Sequence, residues 1–206
     1  MENPPEESTT VPIEKVALER EWTFWENYEL KERDKNIDWS ALLKDIFTFN
    51  TLIDFWQFWN KYPGSDPQNI FYNGERMRYF FKEKYRINAM NLFVSGIKPE
   101  WEDPKNKGGK IFIMEYVIQI KTQVSDFMKI VENEWMKLLL SLIGENLEQG
   151  QFINGIRFVD KTQIGRKVIF RFEIWFSSEL PENVVDQTKT KYGKEFGCSG
   201  IQVKSI

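Results

Sequence analysis

A chain of 206 residues is long enough to bury a substantial core, and 41% hydrophobic with 29% charged residues argues against both a membrane-embedded and a disordered chain. A formal charge of -3 excludes holding nucleic acid by bulk positive charge, and the absence of His removes the usual general base, the Ser-His and Cys-His nucleophile pairs and the commonest metal ligand. The lone Cys198 cannot close an internal disulfide, no leader-like stretch opens the chain and no apolar run reaches the roughly 18 residues of a spanning helix, so a reducing intracellular compartment is expected.

Charge is uneven along the chain. The first 34 residues carry ten acids and four bases, the remainder 24 bases against 21 acids. Residues 1–14 combine Pro4, Pro5 and Pro12 with Glu and Thr and few apolar side chains, which predicts a flexible acidic tail ahead of one domain over 15–206. Strands are predicted over 22–30 and 46–50, then a helix over 51–61, started by Asn50 or Thr51 and ended before Pro63. In 64–88, Arg76, Arg78, Lys82, Lys84 and Arg86 interleave with Tyr72, Tyr79, Phe80, Phe81 and Tyr85; an added amphipathic helix is the first reading and contact with RNA the second.

A strand follows over 89–94. The segment 96–109, GIKPEWEDPKNKGG, is dense in turn formers and places Trp101 in a loop. Over 110–121, Phe112, Met114, Tyr116, Ile118 and Ile120 share one face of a strand, opposite Ile111, Ile113, Glu115, Val117, Gln119 and Lys121. From Val124 to Ile143, Phe127, Val131, Trp135, Leu138, Leu139, Leu142 and Ile143 recur at helical intervals, with Gly144 as the stop. Strands over 151–161 and 168–176 flank a hairpin around Gly165. In the second, Val168, Phe170, Phe172, Ile174 and Phe176 point one way and Ile169, Arg171, Glu173 and Trp175 the other. Pro181 opens a helix to about Lys194, and a short strand closes the chain over 200–205. Strands joined mainly by hairpin-length gaps, with few helices, predict an α+β fold with an antiparallel sheet carrying helices on one face.

An indole in a polar loop invites a ligand, although such a ring also folds back as a lid. Trp101 stands beside Glu102, and Trp39 follows another charged stretch, so two indole plates and a carboxylate are available. Arg171 and Trp175 share the face opposite the apolar row, with Lys161, Arg166 and Lys167 near one end. Two planes for a flat ring, one carboxylate for paired N–H donors and several bases for phosphate suit guanine, which presents two adjacent donors to one carboxylate. Methylation at N7 makes that ring cationic, and the stack then gains a cation–π component worth about 2 kcal/mol or more when desolvated.

At these residues the sequence resembles the messenger-RNA cap-binding family of eukaryotic translation initiation factor 4E. The resemblance is carried by EWTFW at Glu21 to Trp25, the spacing from Trp39 to DFW at Asp54 to Trp56, the loop GIKPEWEDPKNKGG, WMKLLLSLIGE at Trp135 to Glu145 and FEIW ending at Trp175. It implies a strongly curved, cup-shaped antiparallel sheet with three main helices on its convex face. It also implies that Trp39 and Trp101 sandwich 7-methylguanine, that Glu102 pairs with its edge, that Trp175 lies against the N7-methyl and that Lys161 and Arg171 reach the triphosphate, with Arg157, Arg166 and Lys167 as the alternatives if the hairpin register slips. On the helical back it implies a groove of Leu52, Trp56, Trp135, Met136, Lys137, Leu140 and Ile143 for a helix of a 4G-type scaffold or a 4E-binding repressor. Against the family pattern, Lys137 replaces an acid, Val16-Ala17 a His-Pro pair and Ile111 an interior Trp, and residues 64–88 are an expansion.

The expected function is therefore a monomeric, non-catalytic, cytoplasmic reader of capped mRNA, a nuclear pool not excluded, with neither cofactor nor metal. The alternatives are a carbohydrate-binding or generic RNA-binding module using the same Trp plates. A carbohydrate-active enzyme ranks last, because Glu102 and Asp103 are adjacent in sequence and do not naturally face each other across the several ångströms such chemistry needs.

Overall fold

The computed structural model describes residues 16–32, 39–119, 124–198 and 200–206, with Trp39 and Ser40 described by their backbone alone. The expected tail at 1–14 and the strand end at Ile120 and Lys121 lie outside the described residues.

Seven strands, β1 (Ala17–Leu30), β2 (Leu43–Thr51), β3 (Tyr85–Val94), β4 (Lys110–Gln119), β5 (Ile153–Asp160), β6 (Lys167–Phe176) and β7 (Gln202–Ser205), form one curved, unclosed sheet in the order β2-β1-β3-β5-β6-β4-β7. Each neighbouring pair is antiparallel. The helices are α1 (Leu52–Trp59), α2 (Pro67–Ile70), α3 (Val124–Ile143) and α4 (Val185–Glu195). The α+β architecture expected from the pattern is the one found.

The alternation in β4 and β6 explains why the sheet has a helical back. Phe112 and Met114, with Phe170, Phe172 and Ile174, are buried in the main core together with Phe158 of β5. Helix α3 lays Met128, Val131, Trp135, Leu138, Leu139 and Leu142 into that core, and the Trp135 ring centroid lies 5.4 Å from Phe158 and 5.5 Å from Phe172. Helix α1 begins where Thr51 Oγ1 accepts the Asp54 amide at 3.2 Å, a side-chain cap, and buries Phe55 and Trp59. Tyr192 secures α4: its ring is buried and its hydroxyl donates to the Glu148 carbonyl at 2.5 Å.

The predicted amphipathic helix within 64–88 does not form. Only the four residues of α2 are α-helical there. Phe81, Lys82 and Glu83 have φ of 51°, 61° and 62°, values no right-handed helix accommodates, and the segment runs as turns with isolated bridges Tyr72 to Met77 and Phe80 to Tyr85 before joining β3. Its alternating rings work against a single apolar stripe: Tyr72 is buried, Met77 and Phe80 pack on the core, and Phe81 stays exposed.

Candidate functional site

The loop between β3 and β4 is built around two side chains. Asp103 accepts the amides of Lys98 and Lys105, both at 2.9 Å. Asn106, fully buried, donates to the carbonyls of Lys98 and Glu100, both at 2.8 Å. Asn154 of β5 then ties the loop down, donating to the Lys105 carbonyl at 2.7 Å and to Asn106 Oδ1 at 3.0 Å. Gly109 closes it against β6, where a Cβ would stand 2.0 Å from the Phe176 carbonyl oxygen. With the backbone so engaged, Trp101 is left 65% exposed and Glu102 is exposed beside it, without a hydrogen-bond partner among the described residues. Of the adjacent acids Glu102 and Asp103, Asp103 is structural and Glu102 is available.

Trp39 opens a one-turn 3-10 helix, Trp39–Leu42, that feeds β2. Its side chain lies outside the described residues.

The sheet face opposite the helices has an apolar end and a polar middle. At the end where the Trp101 loop leaves the sheet, Phe93, Ile97, Ile111, Ile113 and Trp175 form a second buried cluster, with Trp25, Val94 and Ile206 packed against it. Trp175 is 0% exposed, which corrects the expectation that it touches a ligand ring. The reason is Gly155, which pairs with Phe93 on one side and Trp175 on the other. A Cβ at Gly155 would lie 2.3 Å from the Phe93 ring, so its absence lets that ring settle edge-on against the Trp175 indole, centroids 5.7 Å apart. Ile111, in place of a Trp, belongs to the same cluster.

Next to this floor a polar chain crosses five strands. Asn91 Nδ2 donates to Asn27 Oδ1 at 2.7 Å, and Arg157 Nε donates to Asn91 Oδ1 at 2.8 Å. Arg157 Nη1 and Trp175 Nε1 both donate to Glu173 Oε2, at 3.3 and 3.0 Å. Arg171 lies 3.8 Å from the other Glu173 oxygen and donates to Glu115 Oε1 through Nε and Nη2, at 3.1 and 2.6 Å. Glu173 is the hub. Sequence reasoning placed it on this face without giving it a role, and it did not single out Asn91 or Glu115. The available signal was the alternation itself, which aligns Glu173 with Arg171 and Trp175 and puts Glu115 opposite Arg171.

The hairpin register is fixed. The Lys161 amide donates to the Ile169 carbonyl at 2.9 Å and Gln163 bridges Lys167, leaving Arg166 exposed in the turn. By strand parity Lys161 and Lys167 share the helix-free face with Arg157 and Arg171. Burial lowers the pKa of Lys161, and the neighbouring Arg171 lowers it further. Burial also lowers that of Arg157, which the Glu173 carboxylate partly restores. Charged nitrogens are thus held near one another with too few carboxylates, an arrangement that an added anion relieves.

On the helical back, Leu52, Trp56, Met136 and Leu140 are partly exposed. Trp135 and Ile143 are buried, which corrects their expected place on an open surface: Trp135 belongs to the core between α3 and the sheet, and Ile143 reaches only the floor of the groove. That groove is a depression of about 270 Å³ whose lining includes Val16, Leu18, Leu52, Leu140 and Gly144. Glu145, also in the lining, is held by Arg20, which donates to both of its oxygens at 2.7 Å. Lys137 is exposed, but its ammonium donates to the Glu195 carbonyl at the end of α4 and lies 4.9 Å from the Phe196 ring centroid, a favourable place for a cation at a helix C-terminus.

Comparison with known proteins places these features in context. The family model described as eukaryotic initiation factor 4E matches residues 17–197. The chain is 31% identical over 163 residues to eukaryotic translation initiation factor 4E of Candida albicans, an alignment that covers 78% of this chain and 64% of that one, so it spans under two thirds of that relative's length. Among solved structures, Ascaris suum eIF4E-3 with the m7G cap superposes with a TM-score of 0.65 at 21% identity, covering 92% of this chain and 91% of the other. A schistosome eIF4E complexed with m7GpppA and 4E-BP gives 0.64 at 21%, covering 93% and 88%. At that identity the superpositions establish the fold.

Proposed function

Because the chain belongs to the eukaryotic initiation factor 4E family, we propose that it binds the 7-methylguanosine 5' cap of mRNA on its helix-free face and links it to a scaffold or repressor helix on its helical back. The observation that carries the proposal is the loop 98–109, whose own hydrogen bonds leave Trp101 and Glu102 turned to solvent on a braced backbone.

In this reading Trp101 stacks on the methylated base, with Trp39 as the second plate, and Glu102 accepts the two N–H donors of the guanine edge. The cationic ring favours the stack, so methylated and unmethylated forms are separated mainly by charge. Lys161 and Arg171 take the triphosphate, with Lys167 farther along the same face and Arg166 at the turn. Glu115 holds Arg171 until phosphate arrives, and Glu173 keeps Arg157 and Trp175 in place beneath. Trp175 acts as buried support for the floor. The partner helix packs on Leu52, Trp56, Met136 and Leu140, with Lys137 drawn toward α4. The activity is binding without bond breaking and its setting is the cytoplasm; among the described residues no helix is long and apolar enough to cross a membrane.

Titration of tryptophan fluorescence with 7-methyl-GTP and with GTP tests this. Strong quenching by the first and little by the second is expected. Equal response to both would reduce the protein to a generic nucleotide binder.

A further inference from the structure

We infer that a cavity at the far end of the sheet is a second nucleic-acid site, one that receives the single-stranded RNA following the cap. The cavity, about 300 Å³, lies where β1 finishes and the β5–β6 hairpin turns, and its lining includes Lys31, Arg76, Arg78, Tyr79, Glu83 and Ile164. Three cations face one acid there, and none of the three forms an ion pair among the described residues. In a chain of net charge -3 this is a local concentration of positive charge.

The cavity is a built one. Asn73 Oδ1 accepts the amides of Glu75 and Arg76 at 3.1 and 3.0 Å, and the Arg78 amide donates to the Phe71 carbonyl at 2.9 Å, which fixes the backbone carrying the bases. Arg78 Nε donates to the Gln68 carbonyl at 3.1 Å, holding the guanidinium at the wall. Lys31 Nζ lies 5.4 Å from the Tyr79 ring centroid, so the aromatic surface is already paired with a cation. A half-buried ring with backbone-tracking bases is the composition that takes single strands, since every base has a face to stack and every nucleotide a charge to neutralise.

Continuity with the proposed cap face selects RNA as the occupant. Ile164, at the hairpin tip, is one wall of the cavity, and Lys161, Arg166 and Lys167 flank that tip. From Arg171 to Lys167 is four residues of β6, about 13 Å of strand on one face. A strand leaving the triphosphate region along these bases arrives at Lys31, Arg76 and Tyr79.

The inference rests on the cap-binding reading, and the test separates the two. Binding of 7-methyl-GTP, a capped hexanucleotide and the same hexanucleotide without a cap is measured across a salt series, for the wild type, Lys31→Ala with Arg76→Ala, and Tyr79→Ala. The capped hexanucleotide is expected to bind about ten-fold tighter than 7-methyl-GTP, on the scale of one stacked base. The double variant should abolish that gain and flatten the salt slope by about 1.4, roughly 0.7 for each lost phosphate contact, while leaving 7-methyl-GTP binding unchanged. Tyr79→Ala should lower the gain without altering the slope. Equal affinity for 7-methyl-GTP and the capped hexanucleotide, or a gain that survives both variants, overturns the inference. Should the wild type fail to bind 7-methyl-GTP, the cap reading falls by itself, and the uncapped hexanucleotide decides this one: weaker binding by the double variant sustains the site and unchanged binding removes it. Arg76→Gln, a single change at an exposed side chain, replaces the double variant if that does not fold.

Discussion

Replacing Glu173 with Gln removes one charge from the centre of the polar chain while keeping the shape of the side chain. The carboxylate accepts Arg157 at 3.3 Å and Trp175 at 3.0 Å and stands 3.8 Å from Arg171. Without its charge, Arg157, whose side chain is only 17% exposed, keeps Asn91 Oδ1 as its nearest neutral acceptor, at 2.8 Å. Removing one partner of a buried pair costs about 3 to 5 kcal/mol, because the other charge is left desolvated. In a chain of this size 1 kcal/mol moves Tm by about 2 to 4 °C, so the melting temperature should fall by about 6 to 20 °C. Glu115→Gln is the matched control, since its pair with Arg171 is more open to solvent, with side chains 33% and 22% exposed, and is worth about 1 kcal/mol or less. Thermal unfolding followed by circular dichroism and by tryptophan emission reads both variants. The double change Arg157→Met with Glu173→Leu should recover part of the loss, because it removes the unpaired charge while leaving Trp175 Nε1 without its acceptor. Equal shifts for the two single variants, or a drop of under about 3 °C for Glu173→Gln, would refute the claim that Glu173 organises this face.

Trp101→Ala should weaken 7-methyl-GTP by about 1 to 3 kcal/mol in fluorescence or calorimetric titration and leave Tm unchanged, as the ring is mostly exposed. Glu102→Gln should cost about ten-fold or more with the same ligand, and unchanged affinity would remove the account of guanine recognition. Arg171→Ala should weaken the triphosphate more than the bare methylated nucleoside, and equal losses on both would make its role structural. Lys161→Met should raise Tm at neutral pH while weakening the triphosphate. The fold lowers the pKa of this lysine, so its cost to stability is full below that folded pKa and fades as pH rises toward the ordinary lysine value; the gain in Tm should therefore shrink at alkaline pH.

Much of the architecture was readable because single-face burial leaves a period in the sequence. The bounds of α3 were given by its apolar intervals and Gly144, and the face assignment in β4 and β6 by strict alternation. The strands at β1 and β3 run longer than predicted because Glu19, Arg20 and Glu21 in the first, and Arg86 and Asn88 in the second, interrupt the apolar residues there. Arg86 looks like a loop cation in sequence, yet it is buried between Asp160 and Glu29, at 2.6 Å from each. Trp175 shows the limit of periodicity. Alternation says which side of the sheet a residue occupies, whereas whether that side is roofed depends on Gly155 and Phe93, distant in sequence. The helix expected near residue 80 failed for a similar reason, since helical propensity is silent about three successive left-handed residues whose neighbouring rings pack into a core assembled from elsewhere. In the loop, the sequence made both Glu102 and Asp103 available, and only the hydrogen bonds distinguish them.

The bracing of the Trp101 loop bears on the speed of recognition. Lys98, Glu100, Lys105 and Asn106 are already tied to one another and to Asn154 before any guest arrives. A visiting ring has little chain to immobilise on this side, so the freedom surrendered at capture is small and arrival can proceed at the pace set by diffusion and attraction between charges. Discrimination then rests on residence: rings of either kind land often, and those lacking a positive charge depart sooner.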